Sequence, residues 1–299
     1  MPIDLDQKIR STQISILNYL DSLLLLGVDG FRVDAAKHIY PEDLSYLFNR
    51  TIKTNNGKIP FFYSEVIDTN NGEPIRASDY FSLGRVTDFM YGIEIQKNIQ
   101  KIHYLKTFGE SWGILPDQYS LTFLNNHDNQ REDGNSVITF QNDPYDFKIA
   151  TAFQLAWPYG VSRVMSSYYF SDKNAGPPAN QRSINSDTSC GNGWACEHRW
   201  KVVAPMFEFE AVVNGTGMND WWDNGANQIA FGRGDQGFIA INKDSYTLKQ
   251  TFQTGMPSGQ YKDIISGNVV TVDNNRRVYI ELSNSDDNNV FAIHTNSKM

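Results

Sequence analysis

Two textures alternate along the chain up to Val213, and after Gly217 only one of them remains. Between Asp4 and Leu26, Ile9, Ile14, Ile16, Leu17, Leu20, Leu23 and Leu24 recur at mostly helical spacing, and Gly27 supplies a stop. GVDGFRVD follows as a short β-branched and aromatic run, and PEDLSYLFNRTIK then opens on Pro41, a residue suited to a helix's first turn. The exchange repeats. Strand-like IPFFYSEV, RVTDF, SLTFLNN and VSRVMSS are interleaved with helix-like MYGIEIQKNIQKIHYL, DPYDFKIATAFQLAW and CEHRWKVVAPMFEFEAVV. Repeated β/α units predict a parallel sheet covered by helices.

Past Gly217 the runs QIAFGRG, GFIAINK, TFQT, GQYKDII, VVTV, RVYIEL and NVFAIH follow one another, separated by Gly, Asn, Asp and Ser clusters. That pattern predicts an antiparallel all-β domain. The boundary is set near Gly215 to Gly217, giving an α/β domain over 1–216 and a β-sandwich over 217–299. The Asn/Asp-rich stretch Ser283 to Asn289 is expected to be a polar hairpin loop.

With 299 residues, 40% of them hydrophobic, the chain is long enough for one large domain or a medium one plus a small one. A net charge of −8 without any dense Lys/Arg block argues against nucleic acid as a partner. No apolar run approaches the ~18 to 20 residues of a membrane span. The sole cysteines, Cys190 and Cys196, flank Gly191-Asn192-Gly193, where a tight turn permits bridging. A local disulfide is expected, worth roughly 2 kcal/mol for so short a loop; two free core thiols are the alternative. The sequons Asn49-Arg-Thr51 and Asn214-Gly-Thr216 point towards a secretory route, while the opening MPIDLDQKIR carries no apolar signal core.

Three predicted strands end in acids: Asp34 closes GFRVD, Glu65 closes FFYSE, and Asp128 follows the strand in FLNNHD. Carboxylates at the C-terminal ends of successive parallel strands converge on one face, where (β/α)8 enzymes build their sites. Singly, each could merely cap the helix that follows. Three together, with Arg32 and Lys37 near Asp34 and His127 beside Asp128, are harder to explain by capping. Arg32 lies two residues before Asp34 on one strand, so both side chains project to the same side.

GFRVDAAKH, EVID and NNHDNQR resemble three signatures of the alpha-amylase family of glycoside hydrolases. RVMSSY, DTSCGNGWACEHRW and QIAFGRGDQGFIAIN are similar to the animal-type, chloride-activated branch of that family, so the resemblance covers essentially the whole chain. It implies the second half of a TIM (β/α)8 barrel, about strands 4 to 8, followed by a Greek-key C-terminal domain. A full barrel takes eight strands and ~250 residues, so the chain looks N-terminally truncated, without the first three strands.

The resemblance also implies roles. Asp34 matches the nucleophile, Glu65 the general acid/base, and Asp128 the third carboxylate, which binds sugar hydroxyls. In a retaining enzyme one carboxylate attacks while ionised and a second, about 5 to 5.5 Å away, delivers a proton. His127 matches a sugar-binding histidine at the cleavage subsite. Lys37, His38 and, in a register blurred by TNNGE, Glu73 match leaving-side contacts. Arg32, Asn126 and Arg163 match a chloride site, and the main-chain carbonyl of His38 matches one calcium ligand. The loop after NHDNQR is shortened to Glu132-Asp133-Gly134. The implied activity is retaining endohydrolysis of α-1,4-glucosidic bonds, with starch, glycogen or malto-oligosaccharides as partners. A secreted protein is expected, monomeric if complete, and a vestigial glucan-binding fragment is the alternative.

Overall fold

The computed structural model describes residues 5–132, 136–178 and 190–299, so Asp133 and Gly134 of the shortened loop lie outside the described residues. The chain divides into two compact units, Met1–Met90 with Gly109–Thr122, and Tyr91–Phe108 with Phe123–Met299.

The first unit contains α1 (Arg10–Leu25), β1 (Gly30–Val33), α2 (Pro41–Phe48), β2 (Phe61–Ser64), β3 (Arg85–Asp88) and β4 (Ser120–Thr122). The four strands lie side by side in chain order and all parallel, with Arg32 opposite Tyr63, Tyr63 opposite Arg85 and Asp88 opposite Thr122. Gly30 is required by closeness: a Cβ there would stand 2.3 Å from the Phe61 carbonyl oxygen. Pro41 presets the first turn of α2, where Glu42 and Asp43 complement the helix dipole. Ala36, Leu44, Val66, Tyr80 and Val86 form the core between strands and helices, with Phe48 stacked on Phe62 at 3.9 Å. Burying each large apolar side chain stabilises by roughly 1.5–3 kcal/mol. Helix α1 starts at Arg10 rather than Asp4, behind Ile9, whose side chain offers no cap.

Helix α3 (Phe89–Asn98) carries the chain into the second unit, which holds α4 (Pro144–Ala156), β5 (Val161–Ser162), α5 (Ala204–Val213) and eight antiparallel strands. These are β6 (Met218–Asp223), β7 (Gln228–Arg233), β8 (Gly237–Asn242), β9 (Leu248–Gln253), β10 (Gly259–Lys262), β11 (Val269–Val272), β12 (Arg277–Leu282) and β13 (Val290–His294). They form two four-stranded sheets, β13-β8-β7-β6 and β10-β11-β12-β9. Ala230, Phe238, Ala240 and Phe291 from one sheet and Phe252, Tyr261, Val278 and Ile280 from the other share a core. The opposite face of β7 and β8 is covered by helices. Phe231 meets Phe153 of α4 and Trp157 just beyond its end, and Gly237 lies under Phe209 and Val213 of α5. Burial on both faces explains why these two strands carry near-continuous apolar runs.

Arg233 ties this layer together. Its buried guanidinium donates to the carbonyls of Ala156, Val213 and Thr216, at the ends of α4 and α5. Burial pushes its pKa down to about 10 against the pull of Glu210.

Several expectations change. Helix α3 stops at Asn98, whose side chain folds back onto the Glu94 carbonyl, and a 3-10 turn over Ile102–Thr107 replaces the expected helix. Asn227 Oδ1 fixes that turn by accepting from the Ile102 amide. The helix expected from Cys196 begins only at Ala204, because Cys196 sits at φ 50° and a separate 3-10 turn covers Glu197–Arg199. Ser283 to Asn289 is no hairpin: it leads from β12 in one sheet to β13 in the other, held by Lys148 against Asp286 and Asp287. Strand β6 is an addition, with adjacent tryptophans facing opposite ways, Trp221 onto Phe231 and Trp222 onto Phe252.

Candidate active site

In the first unit the site begins with strand register. Val33 pairs with Ser64, so the next residues, Asp34 and Glu65, leave β1 and β2 side by side. The backbones stay stitched beyond the strands, the Glu65 amide donating to the Val33 carbonyl and the Ala36 amide to the Glu65 carbonyl. Ala35 takes the left-handed conformation at φ 45°, which turns the chain sharply and aims its amide at Glu65 Oε2, 3.0 Å away.

One guanidinium serves both acids. Arg32 Nη1 lies 2.6 Å from Asp34 Oδ1, and Nη2 lies 2.5 Å from Glu65 Oε1. Burial alone would lower the Arg32 pKa, but the Asp34 hydrogen bond and the charges of Glu65 and Asp34 outweigh it and hold the pKa above its ordinary value. Glu65 is 6% exposed, whereas the Asp34 side chain is 74% exposed. The geometry sets an exposed carboxyl group, Asp34, beside a sheltered one, Glu65. Asp128 stands at the N-cap of the 3-10 turn Asn129–Arg131 but makes no capping hydrogen bond, so capping does not account for it.

Lys37 Nζ reaches Glu73 Oε2 at 2.7 Å, bringing these two sequence-expected residues together. The Lys37 hydrogen bond draws the Glu73 pKa below its ordinary value. Lys37 and His38 also line an open cleft of about 900 Å³ with Tyr40, Glu42, Ile75 and Tyr80. The loop that presents Glu73 is organised by Asp68, a residue to which the motif EVID gave no role. Asp68 Oδ1 accepts from the Asn70 amide, and Oδ2 accepts from the Ala77 amide and Arg76 Nε.

The other site candidates belong to the second unit. Asn126 is buried, and its Oδ1 accepts from the amides of Asp128 and Asn129, closing the turn that presents Asp128. His127 and Asp128 are both exposed, with Nε2 and Oδ2 3.4 Å apart. Arg163 lies over the Phe123 ring at 4.9 Å. Cys190 and Cys196 are bridged, with Cα atoms 6.0 Å apart.

Two ions are implied by the resemblance. An anion suits Arg32, because its Nε is buried and has no acceptor among the described residues. Calcium needs six to eight oxygen ligands, and the described residues contain no group of three or more His, Cys, Asp or Glu suited to a metal. The His38 carbonyl alone does not complete such a site.

Residues 219–296 match the family model described as "Alpha amylase, C-terminal all-beta domain". The whole chain is similar to alpha-amylase from Pecten maximus, 44% identical across 95% of this chain and 60% of that protein. It is 43% identical to alpha-amylase 1B from Homo sapiens across 95% of this chain and 62% of that protein, and 43% identical to an alpha-amylase-related protein from Drosophila willistoni across 99% and 64%. Among solved structures it resembles a Glu-to-Gln variant of alpha-amylase I from Eisenia fetida in complex with maltohexaose. The TM-score is 0.88 at 36% identity, over 98% of this chain and 66% of that one. The chain thus spans roughly two thirds or less of the length of these relatives.

Proposed function

The chain belongs to the alpha-amylase family of glycoside hydrolases, and from that premise we propose that its site cleaves α-1,4-glucosidic bonds of starch or glycogen internally, with retention. The Asp34 carboxylate attacks the anomeric carbon and forms a glycosyl ester as the bond to the glycosidic oxygen breaks. Glu65 gives its proton to that oxygen. A water then loses a proton to Glu65 and attacks the same carbon, and the ester bond to Asp34 breaks. Asp128 binds sugar hydroxyls as the transition state develops, with His127 at the cleavage subsite. Lys37, His38 and Glu73 take the leaving-side sugars.

The observation that carries this reading is the Arg32 guanidinium held between Asp34 and Glu65. It holds the two carboxyl groups side by side, each on one arm of the same guanidinium. Chloride at Arg32, Asn126 and Arg163 would supply negative charge that offsets the arginines. The maltohexaose bound by the earthworm relative supports malto-oligosaccharides as ligands. The bridge Cys190–Cys196 supports a secretory route. The functional division into 1–216 and 217–299 is part of the same proposal.

The test is release of reducing ends from starch by this chain, with proton NMR of the anomeric configuration of the first product. An α-anomer is expected, and a β-anomer contradicts the double displacement. A second reading, glucan binding without turnover, is favoured by the 74% exposure of the Asp34 side chain. It predicts saturable maltohexaose binding with no increase in reducing ends.

A further inference from the structure

Glu197 is a fully buried acid that the mechanism does not use. Its Oε2 accepts from the Ser167 amide at 2.6 Å, and its Oε1 has no partner among the described residues. A carboxylate placed this deep at the cost of desolvation must fix something that a hydrocarbon could not.

What it fixes is Ser167, also fully buried, in the segment after β5. Ser167 Oγ donates to Gln130 Oε1 at 2.9 Å. Gln130 lies in the 3-10 turn Asn129–Arg131 that follows Asp128, and its amide donates to the Asn126 carbonyl. The same segment is held from the other side by the disulfide-closed turn. The Ala195 amide donates to the Ser167 carbonyl and the Tyr169 amide to the Gly193 carbonyl. A parallel link runs from Arg131 to the Tyr168 hydroxyl.

We propose that Glu197 is a positioning residue for Asp128, acting through the Ser167 amide and the Gln130 side chain on the turn that presents the carboxylate. The proposal rests on the reading of Asp128 as the third carboxylate of the site. The Cys190–Cys196 turn anchors the far end of the chain of contacts, so the signature GNGWACEHRW serves a residue some seventy positions earlier in the sequence.

Hydrogen exchange of the Asp128 and Asn129 amides, both donors to Asn126 Oδ1, reads this positioning without requiring turnover. In Glu197→Ala these amides should exchange roughly five- to tenfold faster, the size of losing one buried hydrogen bond, while amides of α4 and β7 keep their rates. Glu197→Gln retains an acceptor for Ser167 and should restore near wild-type exchange. Should Glu197→Ala fail to fold, Gln130→Ala cuts the same route at a half-buried position and should give the same local acceleration. Where both variants fold, the double variant should show less than the product of the single effects, as one pathway requires. Unchanged exchange at Asp128 and Asn129, acceleration spread equally over α4 and β7, or a Gln variant as fast as the Ala variant would overturn the proposal. If exchange responds as expected but Asp128→Asn leaves starch hydrolysis intact, the positioning stands and the role of Asp128 fails instead.

Discussion

Arg32 Nη2 lies 2.5 Å from Glu65 Oε1 while its other terminal nitrogen holds Asp34. Because the contact is two-armed and planar, lysine cannot reproduce it. Arg32→Lys should lower kcat for malto-oligosaccharides by at least tenfold with a small change in stability. Arg32→Leu should also destabilise by about 2 kcal/mol, since Glu65 loses its charged partner in a sheltered place. Urea melts and steady-state kinetics on the two variants check this, and equal kinetics for Arg32→Lys and the parent would refute the bridging role.

Asp68 supplies a pH test. Burial raises its pKa, but the hydrogen bonds from the Ala77 and Asn70 amides and from Arg76, with the Arg76 charge, outweigh that and hold it below the ordinary value. A carboxylate depressed in the fold contributes stability in full above its unfolded pKa of about 3.9, and loses it as pH falls through the folded value. Asp68→Asn should therefore cost about 1 kcal/mol at neutral pH and flatten the acid limb of the stability curve below pH ~4. Loosening the loop that carries Glu73 should raise KM for malto-oligosaccharides more than it lowers kcat. Parallel acid limbs in parent and variant would show that Asp68 does not set this dependence.

The sequence made the strand-end acids legible because β/α alternation places strand ends, and Arg32 with Asp34 follows from period-2 geometry. The second arm of Arg32 was not legible, since it depends on the register Val33–Ser64 between strands thirty residues apart. Asp68 and Glu197 escaped for the same reason: each acts on backbone amides that only the folded chain brings near. Strand β6 was hidden because Trp221 and Trp222 point to opposite faces, which reads as no alternation. The ends of α3 and α5 are set by Asn98 folding back and by Cys196 at positive φ, both local choices that propensity does not rank.

The family resemblance implies a bound anion, and the buried Arg32 Nε, which has no acceptor among the described residues, suits one. Starch hydrolysis should rise when chloride replaces a large non-coordinating anion at equal ionic strength, a comparison that holds screening constant. Arg163→Gln should lose most of that chloride response while keeping more activity than Arg32→Lys. Identical rates in the two anions would remove Asn126 and Arg163 from the proposed ion site without touching the carboxylate assignments.

The paired roles of Asp34 and Glu65 are tested most directly by reducing-end release from starch, measured for the parent chain, Asp34→Asn and Glu65→Gln at matched folded fractions. Removing a nucleophile or a general acid costs several orders of magnitude in glycoside hydrolysis. The account predicts measurable turnover in the parent, a drop of at least about a thousandfold in each variant, and retained maltohexaose binding in both. Parent-like turnover in either variant would contradict it.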